Sequence, residues 1–372
     1  MSTAATTSTG TGGRRRPIRR LRLAGSAAAR GAEHGRAHRD EIRRYTEERV
    51  RLASNGSWAG RPATRDDVLA LAREMLPAHR AYAPDLYAEM TALADACGIS
   101  AQEAVIVGGF TDFVDAVRSR ADAVHEEDDC TAAIVPDAMA GGQGFLAQTW
   151  DMHDSATEYV VLLEIEPDTG PAALVFSTVG CVGQIGLNDA GIAVGINNLA
   201  AAEGKAAVTW PFVVRKALAQ TNLDAALACV VDAELTGAHN YLLFDARGRG
   251  FNVEAMPNGS VVRELDSAPL YHTNHCVEPG AKRFEAVRPP PLLESSHRRL
   301  ARARELIGTA PVTLDALIDL TRDNEAVCQR SKPPYHIESS GAAIMRPATG
   351  ELWAVWGLPS ENDYEHFAFG DT

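Results

Sequence analysis

Two hydrophobic periods divide the chain. From Gly35 to about Val117 apolar positions recur at helical spacing. TRDDVLALAREML puts Val68, Leu69, Ala72, Met75 and Leu76 on one stripe, with Thr64 as N-cap and Asp67 three residues on. PDLYAEMTALADACG repeats the pattern with Leu86, Met90, Leu93 and Cys97 on one face and Gly98 as the stop. SAQEAVIVGGF then restarts with Ser100 and Glu103 as a capping box. After RSRADAVHEEDD the period falls to two. TAAIV, GFLAQTWDM, YVVLLEIE and AALVFSTVG are short β-rich runs between turn clusters, and IGLNDAGIAVGIN predicts a hairpin around Asn188 to Gly191. Helical patterns return at WPFVVRKALAQ and TNLDAALACVVD, strands at NYLLFDARGRGFNVEAM and PLYHTNHCV. Two more helices, around SSHRRLARARELI and TLDALIDLTRD, precede a last hairpin, AAIMRPATGELWAVWG.

Strands in two batches, with helices before, between and after them, predict an α+β fold: two antiparallel sheets face to face with helices outside. A chain of 372 residues that is 45% hydrophobic supports one large core or two ordinary ones. The pattern reads as one domain. The basic and acidic counts of 36 and 49 leave a net charge of −13, which argues against nucleic acid as a partner. Six scattered cysteines without a C-x-x-C pair fit a reducing compartment, and no apolar run approaches the roughly 20 residues of a membrane span. The cytoplasm is the expected location, with no membrane partner. Residues 1–22, MSTAATTSTGTGG followed by an arginine cluster, read as a disordered basic tail, because LAGSAAARGAEHG is too short in apolar residues for an export signal.

One cysteine stands apart. In HEEDDCTAAIVPD four consecutive acids precede Cys130 and a strand begins after it. A cut there would turn the peptide nitrogen of Cys130 into an α-amine beside its thiol. With a reference pKa of about 7.7–8.0, that amine suits a general base for a thiol of about 8.5. One residue would then supply nucleophile and base together. On this stretch alone, a reduced core cysteine at a strand start is an equal reading.

Other segments bear on that balance. LAGSAAARGAEHGRAHRDEI, EMTALADACGISAQEA, DCTAAIV, AQTWDMH, GQIGLNDAGIAVGINNL, HTNH and GELWAVWGLPSENDYEHFAF follow one another in the order and spacing of a known family. Together they resemble the isopenicillin N acyltransferase family, the acyl-coenzyme A:6-aminopenicillanate acyltransferases and their relatives, which are cysteine N-terminal-nucleophile hydrolases. The resemblance implies a four-layer αββα sandwich and a precursor that cleaves itself between Asp129 and Cys130. Residues 23–129 are then a helical pro-segment, the later α chain, and residues 130–372 the nucleophile-bearing β chain, the two staying associated in one domain. Asp129 stands where the family often carries glycine, and its carboxylate either helps or slows the N-to-S acyl shift.

The resemblance also assigns roles. Asp151 of TWDMH corresponds to the carboxylate that holds the amine, and an anion one hydrogen bond away would orient the ammonium. Asn274 of YHTNHC matches the oxyanion asparagine, where a neutral amide donor suits developing negative charge. Arg330 of VCQR resembles an arginine near the nucleophile, although a solvated loop arginine is an equal reading. Trp150 reads as pocket wall or core, and Thr131, next to the nucleophile, joins the substrate-side candidates. His272, His275 and Cys276 are not expected to bind metal, since alternate strand residues face opposite ways. No cofactor is expected, apart from a coenzyme A thioester as acyl donor, which rests on the resemblance alone. Small-molecule amides or amines are the expected substrates. Water as acceptor gives an amidohydrolase and a docked amine an acyltransferase; the motifs leave both open. The alternative from another class is a binding protein of the same fold that never matures. A papain-like arrangement would need a helix after the nucleophile, and TAAIVPD is strand-like.

Overall fold

A computed structural model describes residues 16–56, 62–119 and 130–370. It opens with strand β1 (Arg20–Gly25), followed by α1 (Ala27–Ala37), α2 (Arg39–Asn55), α3 (Arg65–Tyr82), α4 (Pro84–Cys97), α5 (Ala101–Gly108) and α6 (Phe110–Ser119). Both capping boxes form. The Thr64 and Ser100 hydroxyls accept from the backbone N–H three residues on, while Asp67 and Glu103 take the cap residues' own N–H groups. Helices α1 and α4 nearly touch. A Cβ at Gly31 would lie 1.9 Å from the Glu89 carbonyl oxygen, and one at Gly35 would lie 2.5 Å from that of Leu93, so only glycine permits this approach.

The tail boundary expected at residue 22 needs correction. Residues 1–15 lie outside the described residues, but Arg20 to Arg22 are already strand. The arginine cluster conceals a period of two. Leu23 is buried, while Arg20 and Arg22 pair with Glu164 and Glu166 of β4 (Val160–Pro167). Strand β1 runs parallel to β4, so the first sheet has one parallel edge instead of being antiparallel throughout.

That first sheet continues through β5 (Ala173–Thr178), β6 (Ile185–Asn188), β7 (Ile192–Leu199), β8 (Ala238–Asp245), β9 (Gly250–Met256) and β10 (Gly259–Glu264), in the order β1-β4-β5-β6-β7-β8-β9-β10. The second sheet is built from β2 (Ala132–Val135), β3 (Phe145–His153), β11 (Leu270–His272), β12 (Ile337–Arg346), β13 (Glu351–Trp356) and β14 (Glu365–Ala368), in the order β11-β2-β3-β12-β13-β14. The hairpin predicted around Asn188 to Gly191 is the β6–β7 connection, with Gly191 at φ +82°.

The layers follow from which faces are apolar. Helices α7 (Trp210–Leu218) and α8 (Leu223–Val231) cover the outer face of the first sheet. Helices α9 (Pro290–Ile307) and α10 (Leu314–Arg322) cover the outer face of the second, giving the αββα order. Strand alternation divides the burial: Ala132, Ile134, Leu146 and Trp150 enter the core between the sheets, while Ala133, Val135, Phe145 and Ala147 pack under α9 and α10 with Ile307 and Leu317. Gln148 ties the sheets together. Its Nε2 donates to the Ile196 carbonyl and its Oε1 accepts from Ile196 N–H at 2.8 Å, satisfying backbone groups of β7 from β3.

Candidate active site

Cys130 lies two residues before β2, 3% exposed and turned into the space between the sheets. Its neighbour on β3 is Asp151. The Asp151 N–H points at the Cys130 sulfur at 3.5 Å, and the sulfur lies 3.7 Å from the Asp151 carbonyl oxygen. The Asp151 side chain is fully buried and accepts a hydrogen bond from the Ser339 hydroxyl at 2.6 Å. Ser339 sits at a bulge in β12 and also accepts from Gln329 N–H, so the carboxylate is anchored to the segment ahead of β12. The sequence alone did not single out Ser339.

Thr131 is held away from the cavity. Its N–H donates to the Thr149 hydroxyl at 3.1 Å, and its own hydroxyl accepts from Arg299 at 3.2 Å. Trp150 lies in the core, edge-on to Phe176 at 6.2 Å, and also lines the cavity that Cys130 opens onto. That cavity, shared with Met152, Ile196, Asn198 and Trp210, holds about 20 Å³, roughly the room of one water molecule. Asn198 is 2% exposed, and its carboxamide meets no partner among the described residues.

Asn274 lies one hydrogen bond from Asn198. Its Nδ2 donates to the Asn198 carbonyl at 3.0 Å, its Oδ1 accepts from Arg299 at 3.0 Å, and its own N–H donates to the Ser296 hydroxyl at 2.9 Å. An amide nitrogen carries two hydrogens, so the second N–H of Asn274 is not used by that bond. Arg299 joins this group to Cys130, because its Nη1 donates to the carbonyl oxygen of Cys130. Cys130 is therefore joined to Asp151 directly and to Asn274 through Arg299.

Arg330 does not reach Cys130. It is half-exposed and paired with Glu361 at 2.6 Å, on the wall of an outer cleft of about 250 Å³ that also takes in Ser295, Arg298 and Cys328. Burial pushes the Cys328 thiol above its ordinary pKa, and the charge of Asp151 adds to the rise. The neighbouring histidines turn to separate partners: His272 meets Glu254 at 2.7 Å, and His275 meets the Ser296 hydroxyl at 2.7 Å. Burial, with the facing His297, drives His275 down to about 3, so its ring is neutral near pH 7. Asp129 lies outside the described residues.

A sequence model of the acyl-coenzyme A:6-aminopenicillanic acid acyl-transferase family matches residues 139–360. The chain is 23% identical over 315 residues to the 40 kDa form of acyl-coenzyme A:6-aminopenicillanic-acid-acyltransferase from Emericella nidulans, covering 83% of this chain and 84% of that one. Among solved structures it is similar to a mutant conjugated bile acid hydrolase from Clostridium perfringens, with TM-score 0.41 and 10% identity, covering 66% of this chain and 98% of the other. It is also similar to penicillin V acylase from Agrobacterium tumefaciens, with TM-score 0.40 and 10% identity, covering 65% and 86% respectively.

Proposed function

The chain belongs to the acyl-coenzyme A:6-aminopenicillanic acid acyl-transferase family, and from that premise we propose that it is a self-processing enzyme whose nucleophile is the thiol of Cys130. The observation that carries the reading is the meeting of Cys130 with Asp151 and the Arg299–Asn274 pair, three separate parts of the chain converging on a cysteine at a strand start.

Maturation comes first. The Cys130 sulfur attacks the Asp129 carbonyl carbon, the C–N bond breaks and the nitrogen takes a proton. Water then hydrolyses the thioester, leaving a carboxylate on Asp129 and an α-amine on Cys130. In turnover that amine accepts the thiol proton as the sulfur attacks an amide or thioester carbonyl. Asp151, fixed by Ser339, orients the ammonium. The second N–H of Asn274 and the carboxamide of Asn198 supply neutral donors to the oxyanion. The intermediate collapses to a thioester on Cys130 as the leaving amine or thiol departs with the proton. Water or a second amine then takes the acyl group. A coenzyme A thioester is proposed as one donor, on the strength of the family and of what the Emericella relative is named for. The cytoplasm is the proposed location, in keeping with six buried thiols.

Acyl trapping tests this directly. Exposed to a panel of acyl-4-nitroanilides and quenched in acid, the processed enzyme should carry the acyl mass on the peptide beginning at Cys130, removable by hydroxylamine. A primary amine in the mixture separates the two outcomes: N-acyl product marks a transferase, free acid a hydrolase. A processed enzyme that liberates nitroaniline while its acyl group sits elsewhere, or that does so equally well as the Cys130→Ala variant, contradicts the assignment.

A further inference from the structure

The small cavity at Cys130 has polar walls that the reaction written above leaves unused. Gln184 lines it and is 3% exposed. Its Nε2 donates to the Thr178 hydroxyl at 3.1 Å, which leaves Oε1 as the end that meets no partner among the described residues. His239 of β8 lines it too, fully buried, with Nδ1 3.2 Å from Asp112 Oδ1 of α6. A carboxylate at Nδ1 selects the Nδ1–H tautomer, so Nε2 is an acceptor, with the Thr111 hydroxyl at 3.5 Å. Asp112 is itself held in place. Its Oδ2 accepts from Trp210 N–H at 2.6 Å, while the ring N–H of Trp210 donates to the Thr111 hydroxyl at 3.1 Å.

Buried polar atoms are nearly always paired, so Gln184 Oε1 and the Asn198 carboxamide in one closed space call for a polar guest. With Asn198 Nδ2 given to the oxyanion, the cavity offers three acceptors: Gln184 Oε1, Asn198 Oδ1 and His239 Nε2. An ammonium has three hydrogens to donate and accepts nothing. The rings of Tyr45, Phe110, Trp150 and Trp210 form the other walls, and aromatic faces favour a cation. The surrounding charges point the same way. Asp151 and Arg299 flank Cys130 with opposite signs, and Arg49, stacked on Tyr45 and Phe110, faces Glu48 at 3.6 Å, which leaves Asp112 behind His239. Size limits the guest: about 20 Å³ takes one water-sized group, which an amino group is.

We propose that this end of the cavity is a subsite for an α-amino group, so that the acyl groups the enzyme takes are small aminoacyl groups, glycyl above all. The proposal rests on the reading of Cys130 as an N-terminal nucleophile. In a glycyl amide the amino nitrogen is two bonds from the carbonyl carbon, so a carbonyl at the sulfur puts the ammonium in the adjoining space. The sulfur attacks that carbon, the bond to the leaving nitrogen breaks, and this nitrogen departs with the thiol proton. The glycyl ammonium keeps its own protons, bonded to Gln184, Asn198 and His239.

Two isosteric substrates test this on the processed enzyme: glycyl-4-nitroanilide and propanoyl-4-nitroanilide, which puts a methyl in place of the ammonium. Glycyl should be preferred in kcat/KM by at least about 10²-fold, because the methyl leaves buried acceptors unpaired. A native preference below about tenfold overturns the proposal. Gln184→Met and Asp112→Asn should each cut the preference about tenfold, read as a ratio within each variant so that a general loss of activity cancels. An unchanged ratio in either variant overturns it as well. Should both variants fail to fold, N,N-dimethylglycyl-4-nitroanilide decides on the native enzyme, since it keeps the charge and its pull on the carbonyl but has a single N–H. It should be used about 10²-fold less well than glycyl, and equal use contradicts the subsite. A native chain that is neither cleaved nor active on any acyl anilide refutes the functional reading and this one together, whereas a cleaved enzyme that prefers propanoyl refutes this one alone.

Discussion

At the scale of single residues, the site is a set of hydrogen bonds aimed at two others. Ser339 donates to Asp151, which holds the amine in the reaction proposed; losing one hydrogen bond to a charged group costs about 1.5 kcal/mol, or about tenfold in rate. Ser339→Ala should therefore lower kcat by about tenfold with self-cleavage intact, which steady-state kinetics on processed protein would read. Asn274→Ala removes the proposed oxyanion donor and should cost about 10²–10³ in kcat. An Asn274→Ala enzyme with native kcat would remove Asn274 from the site. The sequence disclosed these residues unevenly. Cys130 stood out because its own neighbours are asymmetric, four acids before it and a strand after. Arg299 was hidden in SSHRRLARARELI, which looks like a solvated basic face. The signal lay in the helical phase, since Leu292, Ser296, Arg299, Ala303 and Ile307 share the buried side, so this arginine occupies a core position. Ser339 gave no local sign, because its meaning depends on pairing with a strand 188 residues away.

At the scale of elements, β3 does most of the positioning, and it does so from both faces. Gln148 and Trp150 point between the sheets, whereas Thr149 accepts from Thr131 N–H beside β2 and Asp151 reaches across to β12. The clamp of Gln148 on Ile196 fits closely: a Cβ at Gly195 would come within 2.8 Å of the Gln148 Oε1. Gln148→Leu leaves two β7 backbone groups unpaired in the core and should destabilise the fold by about 2–4 kcal/mol. Denaturant unfolding would show a fall in the midpoint with an unchanged slope. Periodicity made most elements legible, including both capping boxes and the β6–β7 hairpin, because these are local. It failed at β1, where Arg20 and Arg22 alternate with Leu21 and Leu23; Glu164 and Glu166, which pair with the two arginines, lie more than 140 residues on.

For the whole molecule, the helical N-terminal part and the strand-rich remainder are one folded body. Strand β1 adds to β4 over six residues. The buried Arg49 of α2 lies against the rings of Tyr45 and Phe110 and donates to Ser155 at 2.6 Å. After cleavage the two chains should therefore elute together from a sizing column and part only in denaturant. Stability should also follow three buried histidines. Burial drives His34 and His275 to about 3 and His79 to about 4, from an ordinary 6.5. Below 6.5 the unfolded chain takes up protons that the native one refuses, so stability is full above that pH and is lost as pH falls towards 4. The unfolding midpoint should be flat above about pH 7 and decline steadily between 6.5 and 4. The central claim, that Cys130 becomes an N-terminal nucleophile, is tested most directly by intact mass under denaturing conditions, beside a Cys130→Ala variant. The account predicts two fragments from the native chain, of 129 and 372 − 129 = 243 residues, the larger beginning at Cys130, and one uncut chain from the variant. A native chain that remains whole, or a variant cut at the same bond, would contradict it.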